Sequence, residues 1–394
     1  MRIRRIVLGF GLVLALVPVA AVSPAAASPV PVAASAAVAP AAAPRLQFSR
    51  LEEDDFETQC LATPSAAVDP GWFPDRYAHC RRGTGIHDVF DANNVKVGEV
   101  HVSLIVMGFA VNGERRVDYA VRVLGITKVN APELLLETVS IGMWFACGVS
   151  LTPCAGPAAP SRVDTVTGWR AVNYFTTTLT SPETADPGEQ RVQRRFALVV
   201  DLTTPGQPFL PGPPIEAMYS NVRYDSASYV GRARGTVFLD HRLVLVIDER
   251  LDNQDESAQH IRHAFDHPVL TFTSWAGKTV PGKDDGIPSA DDEPLTRMYN
   301  EAQNDANRAQ SEKICKELYG LWDKDLVNCD EFPFASTYEG SKTGTEANNG
   351  LQRFSVRLID AADNQYVGRQ LLEVEFYRAL RVLDGDKFFV RVVF

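Results

Sequence analysis

The sequence predicts a two-domain protein, with an N-terminal all-β, sandwich-like domain followed by a small α+β domain. Residues 94–248 contain short runs rich in Val, Ile, Phe and Tyr, which are separated by turn signals and show no helical period between them. After residue 255, helical and strand-like segments follow one another. The length of 394 residues, 45% of them hydrophobic, is sufficient for two or three folded units and excludes a disordered tail.

The first 44 residues predict export. Residues 1–27 combine a cationic start, an apolar run from Ile6 to Ala21 and three alanines before Ser28, a pattern typical of a secretory signal peptide. Residues 28–44 are rich in Ala, Pro and Val without a heptad, and they predict an extended leader. Because no second apolar stretch of about 20 residues follows, we expect an extracellular protein without stable membrane association.

The six cysteines are an even number, which in an exported chain favours disulfides over free thiols. None lies in a CxxC motif, so a zinc ribbon or a thioredoxin-like redox site is disfavoured. The cysteines lie in local pairs, which predicts three sequential disulfides: Cys60–Cys80, Cys147–Cys154 and Cys315–Cys329.

The predicted β-rich domain covers residues 45–250, and its role stays open. It shows no catalytic constellation, so a scaffold or cover for the second domain and a contact with cell wall or carbohydrate are both consistent with it. Its clearest predicted strands are 97–110, 117–124, 196–202, 228–238 and 242–248.

The second domain is assigned to residues 255–394. Pro268 stops its first helix, and Pro294 opens the long one. The predicted elements are helices over 256–265, 295–318 and 369–380, a loop over 280–293, and strands over 354–358 and 388–394.

A histidine is not expected to be the general base of this domain. All seven histidines precede its compact unit after Pro294, so a carboxylate is the expected general base. His260, His263 and His267 share one helical face, which is consistent with a zinc site or with an ordinary solvated face.

The adjacent acids Asp330 and Glu331 are the strongest candidates for catalysis. They follow Cys329 and precede Phe332 and Phe334, which share a parity and are expected to anchor the segment in the core. Because neighbours in an extended chain point to opposite faces, at most one of the two acids should aim directly at a given site.

Two further residue pairs could bind a metal or phosphate. Asp363 and Asn364 offer oxygens of the kind that Mg²⁺ or Mn²⁺ prefers, although such turns also occur for conformational reasons alone. Arg297 and Arg308 lie on the predicted long helix, where a guanidinium could grip phosphate or form a surface ion pair.

Four segments carry a resemblance to a known family: CDEFPFAST at 329–337, Asn307-Arg308 with Cys315, Asp363-Asn364, and RVLDGDKFFV at 381–390. Together they make residues 255–394 similar to the NucA/NucB family of secreted bacterial deoxyribonucleases. The resemblance implies a catalytic role for Asp330 and a divalent metal near Asp363 and Asn364, although family members often have Glu where Asp363 stands.

The expected function is therefore a secreted, metal-dependent, sequence-nonspecific deoxyribonuclease that hydrolyses phosphodiester bonds of extracellular DNA. Asp330 would activate water, with Glu331 as support or alternate base. The net charge of −10 repels DNA, which favours help from a divalent cation. Two alternatives stay open: a weak or inactive nuclease-like binding module of a surface protein, and an antibacterial toxin. An inhibitor or immunity protein is a partner that these alternatives allow.

Overall fold

The computed structural model describes residues 50–148, 161–183 and 188–394. Residues Leu46–Phe394 form one compact unit, in which the two predicted domains are packed regions. The predicted signal peptide, the leader and Cys154 lie outside the described residues, whereas the disulfides Cys60–Cys80 and Cys315–Cys329 are formed as predicted. Among the helices of the described ranges, none combines the length and apolarity that a membrane crossing requires.

The N-terminal region, called the β region below, consists of two curled antiparallel sheets of five strands each, which confirms the sandwich-like prediction. The sheet orders are β6-β3-β2-β1-β8 and β10-β9-β7-β4-β5. Two helices accompany them, α1 (Arg50–Ala62) and α2 (Val166–Ala171). The strands are β1 (Ala78–Phe90), β2 (Lys96–Ala110), β3 (Arg116–Val129), β4 (Ser140–Cys147), β5 (Ser161–Thr165), β6 (Tyr174–Thr180), β7 (Arg191–Thr203), β8 (Leu210–Pro211), β9 (Ile215–Asp225) and β10 (Gly235–Phe238).

Alternating apolar residues form these strands and their shared core. On β2, Val100, Val102, Leu104 and Val106 recur at every second position, so they point to one face of the sheet. All four are buried in the cluster that the two sheets enclose. The strand predicted over 228–238 is shorter than expected, because only its end pairs with β9.

The C-terminal region begins with β11 and is a mixed α+β fold, as predicted. A three-stranded sheet has the order β11-β15-β12, and β13 pairs only with β14 within the described residues, as a two-stranded antiparallel ribbon. Its elements are β11 (Val244–Asp248), α3 (Asp255–Asp266), β12 (Leu295–Thr296), α4 (Glu301–Tyr319), β13 (Val327–Phe332), α5 (Thr343–Ala347), β14 (Ser355–Asp360), α6 (Ala361–Gln365), a π helix (Tyr366–Arg378) and β15 (Lys387–Val393).

The long helix starts later than the sequence predicts. Asn300 caps α4, since its side-chain oxygen accepts a hydrogen bond from the Gln303 amide at 3.1 Å. The predicted first turn is instead strand β12, which pairs with β15. Arg297 therefore precedes the helix and does not lie on it, contrary to the prediction.

The ribbon β13–β14 lies between two helical layers. On one face it packs against α4, to which the Cys315–Cys329 disulfide ties it. On the other face, Phe332 and Phe334 enter the core shared with α3 and the π helix, which confirms their anchoring role. The segment that carries Asp330 is thus held from both sides.

Buried charges join the two regions. The guanidinium of Arg381, after the π helix, is paired with Asp225 of β9, and both side chains are fully buried. Asp386 accepts from Arg76 at 2.9 Å and from Arg223 at 2.7 Å. Burial by itself would raise the pKa of Asp386, but these two guanidinium groups outweigh it and lower the pKa. The end of the π helix is therefore anchored in the β region.

Candidate active site

Asp330 and Glu331 border the same open cleft from opposite faces of β13. The ribbon register places Asp330 opposite Arg357 and Phe332 opposite Ser355, so these four side chains share the face that packs on α3. Glu331 has the other parity and lies near α4. Because the cleft, of about 710 Å³, runs along the unpaired edge of β13, both carboxyls reach its lining. The prediction that Asp330 and Glu331 point to opposite faces of the strand is confirmed, although both side chains line the same cleft.

His260 is hydrogen-bonded to the Asp330 carboxylate, a contact that the sequence analysis did not predict. Its Nδ1 lies 2.6 Å from Asp330 Oδ2, and its Nε2 lies 2.8 Å from Ser355 Oγ. Since a carboxylate can only accept, Nδ1 donates to Asp330, and in the neutral ring Nε2 then accepts from the Ser355 hydroxyl. The side chain of His260 is buried, so it orients Asp330 from behind the cleft.

Ser355, His260 and Asp330 have the connectivity of a nucleophilic triad, but burial excludes that chemistry. Ser355 is fully buried, and its hydroxyl is occupied by the hydrogen bond to His260. A nucleophile must reach its substrate. The three residues therefore form an orienting chain that ends at Asp330.

The sequence contains a signal for His260 that the prediction did not use. Helix α3 buries Ala258, Ile261 and Ala264, and His260 lies on this same buried side. A histidine among core positions of an amphipathic helix requires a polar partner inside the protein. What the pattern could not supply is the partner, which is 70 residues away in the chain.

The histidine row does not form a metal site. The Nδ1 atom of His260 is hydrogen-bonded to Asp330. The ring centroids of His263 and His267 lie 5.5 Å apart. In the described part of the chain, no group of three or more His, Cys, Asp or Glu side chains is placed to hold a metal ion.

Asp363, which was predicted to share a metal with Asn364, is not among the residues that line the cleft. Its carboxylate accepts from the Glu256 amide at 2.9 Å and from the Ser257 amide at 3.2 Å. It thereby satisfies free N–H groups in the first turn of α3. Asn364, by contrast, lines the cleft. Neighbouring residues on the short helix α6 point in different directions, so the pair is separated.

A divalent cation is compatible with a smaller set of oxygen donors in the cleft. Asp330, Asn364 and Asn304 of α4 all line it. The side-chain oxygen of Asn304 is buried and has no hydrogen-bond partner within the described residues, so it is an acceptor without a donor. Mg²⁺ prefers oxygen ligands and usually keeps waters and substrate phosphate oxygens in its coordination shell, so the chemistry of these donors suits it.

The two predicted phosphate-binding arginines have different environments. Arg308 is exposed, lines the cleft and pairs with Asp305 at 2.9 Å. Arg297 is buried, its guanidinium 4.2 Å from the Tyr377 ring centroid, so its position does not suit a ligand to phosphate. Arg369 of the π helix also lines the cleft and was not predicted.

The electrostatics of the cleft distinguish its two acids. Burial raises the pKa of Glu331 to about 8, and the nearby charge of Asp330 adds to the shift. A raised pKa means that Glu331 holds a proton around neutral pH, which reduces repulsion of an anionic substrate.

Asn307 fixes the loop that follows β13. Its amide nitrogen donates to the Ala335 carbonyl at 2.9 Å, and its oxygen accepts from the amides of Lys342 and Thr343. Asn307 is fully buried, so helix α4 and the loop are locked together. These hydrogen bonds give a structural reason for an asparagine at position 307, one of the residues that carry the family resemblance.

A cleft with paired acids, amide oxygens and guanidinium groups belongs to the class of sites that can act on phosphate esters. The family comparison agrees with this class. Residues 286–391, in the C-terminal part of the chain, match the family model Deoxyribonuclease NucA/NucB. The chain matches no curated protein and no solved structure. Helix α3, which carries His260, lies before the matched residues.

Proposed function

We propose that the protein is a metal-dependent deoxyribonuclease that hydrolyses phosphodiester bonds in extracellular DNA without sequence preference. The observation that carries the proposal is the position of Asp330, inside a NucA/NucB domain, at an open cleft and bonded to His260. The cleft offers charge and amide contacts suited to a phosphate backbone, which carry no base information. Cleavage is therefore expected on any DNA sequence.

The chemistry begins with a water molecule beside Asp330. Asp330 accepts a proton from this water as its oxygen forms a bond to phosphorus, and His260 keeps the carboxylate in place. The bond from phosphorus to the leaving oxygen breaks, and that oxygen takes the proton of the Glu331 carboxyl, whose raised pKa keeps it protonated around neutral pH. Glu331 lies on the other face of the strand edge, so it is placed to serve the leaving oxygen while Asp330 serves the water.

Asn364 and Asn304, together with water and phosphate oxygens of the substrate, would hold the divalent cation, Mg²⁺ or Mn²⁺, beside Asp330. A bound cation neutralises charge that develops on the phosphate oxygens. Arg308 and Arg369 line the same cleft and would contact neighbouring phosphates. These contacts offset the repulsion expected from a chain of net charge −10.

The test is cleavage of plasmid DNA by the oxidised protein with Mn²⁺ and with chelator. Asp330→Asn should lower the rate by about 10²–10⁴-fold, because the water loses its base. Asp325→Asn, which removes the same charge from an exposed turn, should cleave like the parent protein. Both variants should unfold at the parent temperature within a few degrees.

Absence of cleavage by the folded parent protein would overturn the proposal. It would favour the alternative of a nuclease-like binding module. Secretion is part of the proposal and is supported by the disulfides Cys60–Cys80 and Cys315–Cys329, which persist in oxidising compartments. Detection of the processed protein in the culture medium, with Ser28 at its N-terminus, tests that part separately.

A further inference from the structure

A second pocket, called the basic pocket below, lies at the other edge of the ribbon. It has a volume of about 460 Å³ and is formed by α3, the segment 270–272, the end of α4 and residues 355–357 of β14. None of its lining residues is acidic, although the whole chain has a net charge of −10. The cleft, in contrast, is lined by Glu312, Asp330, Glu331 and Glu373 in addition to its arginines. The lining of the basic pocket therefore differs from that of the cleft, since it contains arginine and histidine side chains but no carboxylate.

Arg357 supplies the available positive charge. It is the cross-strand neighbour of Asp330, and its side chain is exposed. Its guanidinium makes no ion pair or hydrogen bond with any part of the chain that the structure describes. The other arginine of the pocket, Arg262, is paired with Glu249 at 2.8 Å. A free guanidinium beside a phosphodiester-cleaving carboxylate is suited to binding the next phosphate of the strand.

Two exposed aromatic rings complete the basic pocket. Phe272 and Tyr319 are each 44% exposed, so both rings of the pocket lining are accessible from outside. The Phe272 carbonyl accepts from the Val356 amide at 2.9 Å, so the backbone that carries this ring is tied to β14. Exposed rings next to a cation are the elements with which proteins bind single-stranded nucleic acid, because every base has a face that stacks.

His260 connects the basic pocket to the cleft. Its ring lines the pocket, while its Nδ1 holds the Asp330 carboxylate at the cleft. Because Asp330 and Arg357 are direct cross-strand partners, their side chains start from neighbouring backbone positions on one face of the ribbon, so a strand held at Asp330 has Arg357 as a neighbouring cation.

We propose that the basic pocket binds the nucleotide next to the scissile phosphate, with Arg357 on its phosphate and Phe272 or Tyr319 stacked on its base. The proposal rests on the proposed nuclease function, since it assigns a subsite of the same substrate strand. It predicts a preference for single-stranded or locally unpaired DNA, because a paired base cannot reach the rings.

Binding is measured in the Asp330→Asn background, where cleavage cannot obscure it. The probe is a fluorescently labelled 12-nucleotide single strand, with fluorescence anisotropy as the readout over a range of salt concentrations. Arg357→Gln should weaken binding about tenfold and reduce the salt slope by about 0.7, the value for one phosphate contact on a single strand. Phe272→Ala should weaken binding about 5–100-fold, and Phe272→Trp should restore it.

Arg194→Gln is the matched control, because it removes an exposed arginine from the β region. It should leave both the affinity and the salt slope unchanged. Equal affinity of Arg357→Gln and Arg194→Gln would overturn the subsite, even if the parent protein cleaves DNA. Loss of affinity in Arg357→Gln, with a parent protein that binds but does not cleave, would support the basic pocket and overturn only the nuclease function.

Discussion

The β region and the C-terminal region bury their polar side chains in different places. In the β region they close contacts inside the sandwich, as when Tyr119 and Ser220 share a hydrogen bond of 2.7 Å, or when the Trp169 indole donates to the Ile141 carbonyl at 3.0 Å. In the C-terminal region a chain of buried polar groups ends at an open edge, where Asp330 meets the cleft.

The comparison distinguishes buried polar groups that stabilise a fold from buried polar groups that position a reactive side chain. A buried polar pair that closes on itself rigidifies a core. In the hydrogen-bonded chain from Ser355 through His260 to Asp330, the buried inner groups all have hydrogen-bond partners. The carboxylate of Asp330, at the outer end, borders the cleft. The β region encloses a large hydrophobic core, and charged residues join it to the C-terminal region. We therefore infer that the β region supports the π helix, which forms one wall of the cleft.

The largest expected effect comes from breaking the contact between the two regions. Arg381→Met should lower the free energy of unfolding by up to about 3–5 kcal/mol, because the buried Asp225 loses one of its two guanidinium partners and keeps only Arg223, at 3.2 Å. Urea denaturation checks the value. Arg250→Met, at an exposed pair with Asp248, should cost less than about 1 kcal/mol. Equal losses in the two variants would show that the regions do not depend on this contact.

The two disulfides should separate stability from activity. Removing Cys315–Cys329 by alanine substitution of both cysteines should cost about 3 kcal/mol and also reduce cleavage, since the bond ties the strand of Asp330 to α4. Removing Cys60–Cys80 in the same way should cost a similar amount and leave the turnover number unchanged below the unfolding temperature. Full activity after loss of Cys315–Cys329 would contradict the first expectation.

The orienting role of His260 can be isolated by its effect on turnover. His260→Ala should lower kcat about 10–100-fold with little change in KM, because Asp330 loses its fixed direction. His260→Asn keeps a donor near Asp330 and should recover part of the loss. His267→Ala, at an exposed position after α3, should behave like the parent. Equal kcat values for His260→Ala and His260→Asn would argue against positioning through this hydrogen bond.

The smallest expected effect distinguishes a helix cap from a metal ligand. Asp363→Ala should reduce stability by about 1 kcal/mol, because the α3 amides of Glu256 and Ser257 lose their acceptor. The Mn²⁺ concentration that gives half-maximal cleavage should stay the same. A large rise in that concentration at unchanged stability would return Asp363 to the metal site.

Much of the fold could be predicted because its signals are local. Alternating apolar residues mark β2 and β7, and short spacings along the chain mark the disulfides that were predicted and found. The start of α4 could not be placed as readily, since Pro294 and a cap at Asn300 both resemble helix starts. Pairing of Leu295 with β15, whose residues are more than 90 positions away, decided between them.

The sequence by itself determined the class of the molecule, the acid pair at Asp330 and Glu331, and the residues that carry the family resemblance. Only the tertiary structure decided which groups work together. It brought His260 to Asp330, turned Asp363 to the end of α3, buried Arg297 and left Arg357 exposed. The physical reason is that composition and periodicity act between neighbours in the chain, whereas hydrogen-bond partners and burial are set by helices that pack across the ribbon.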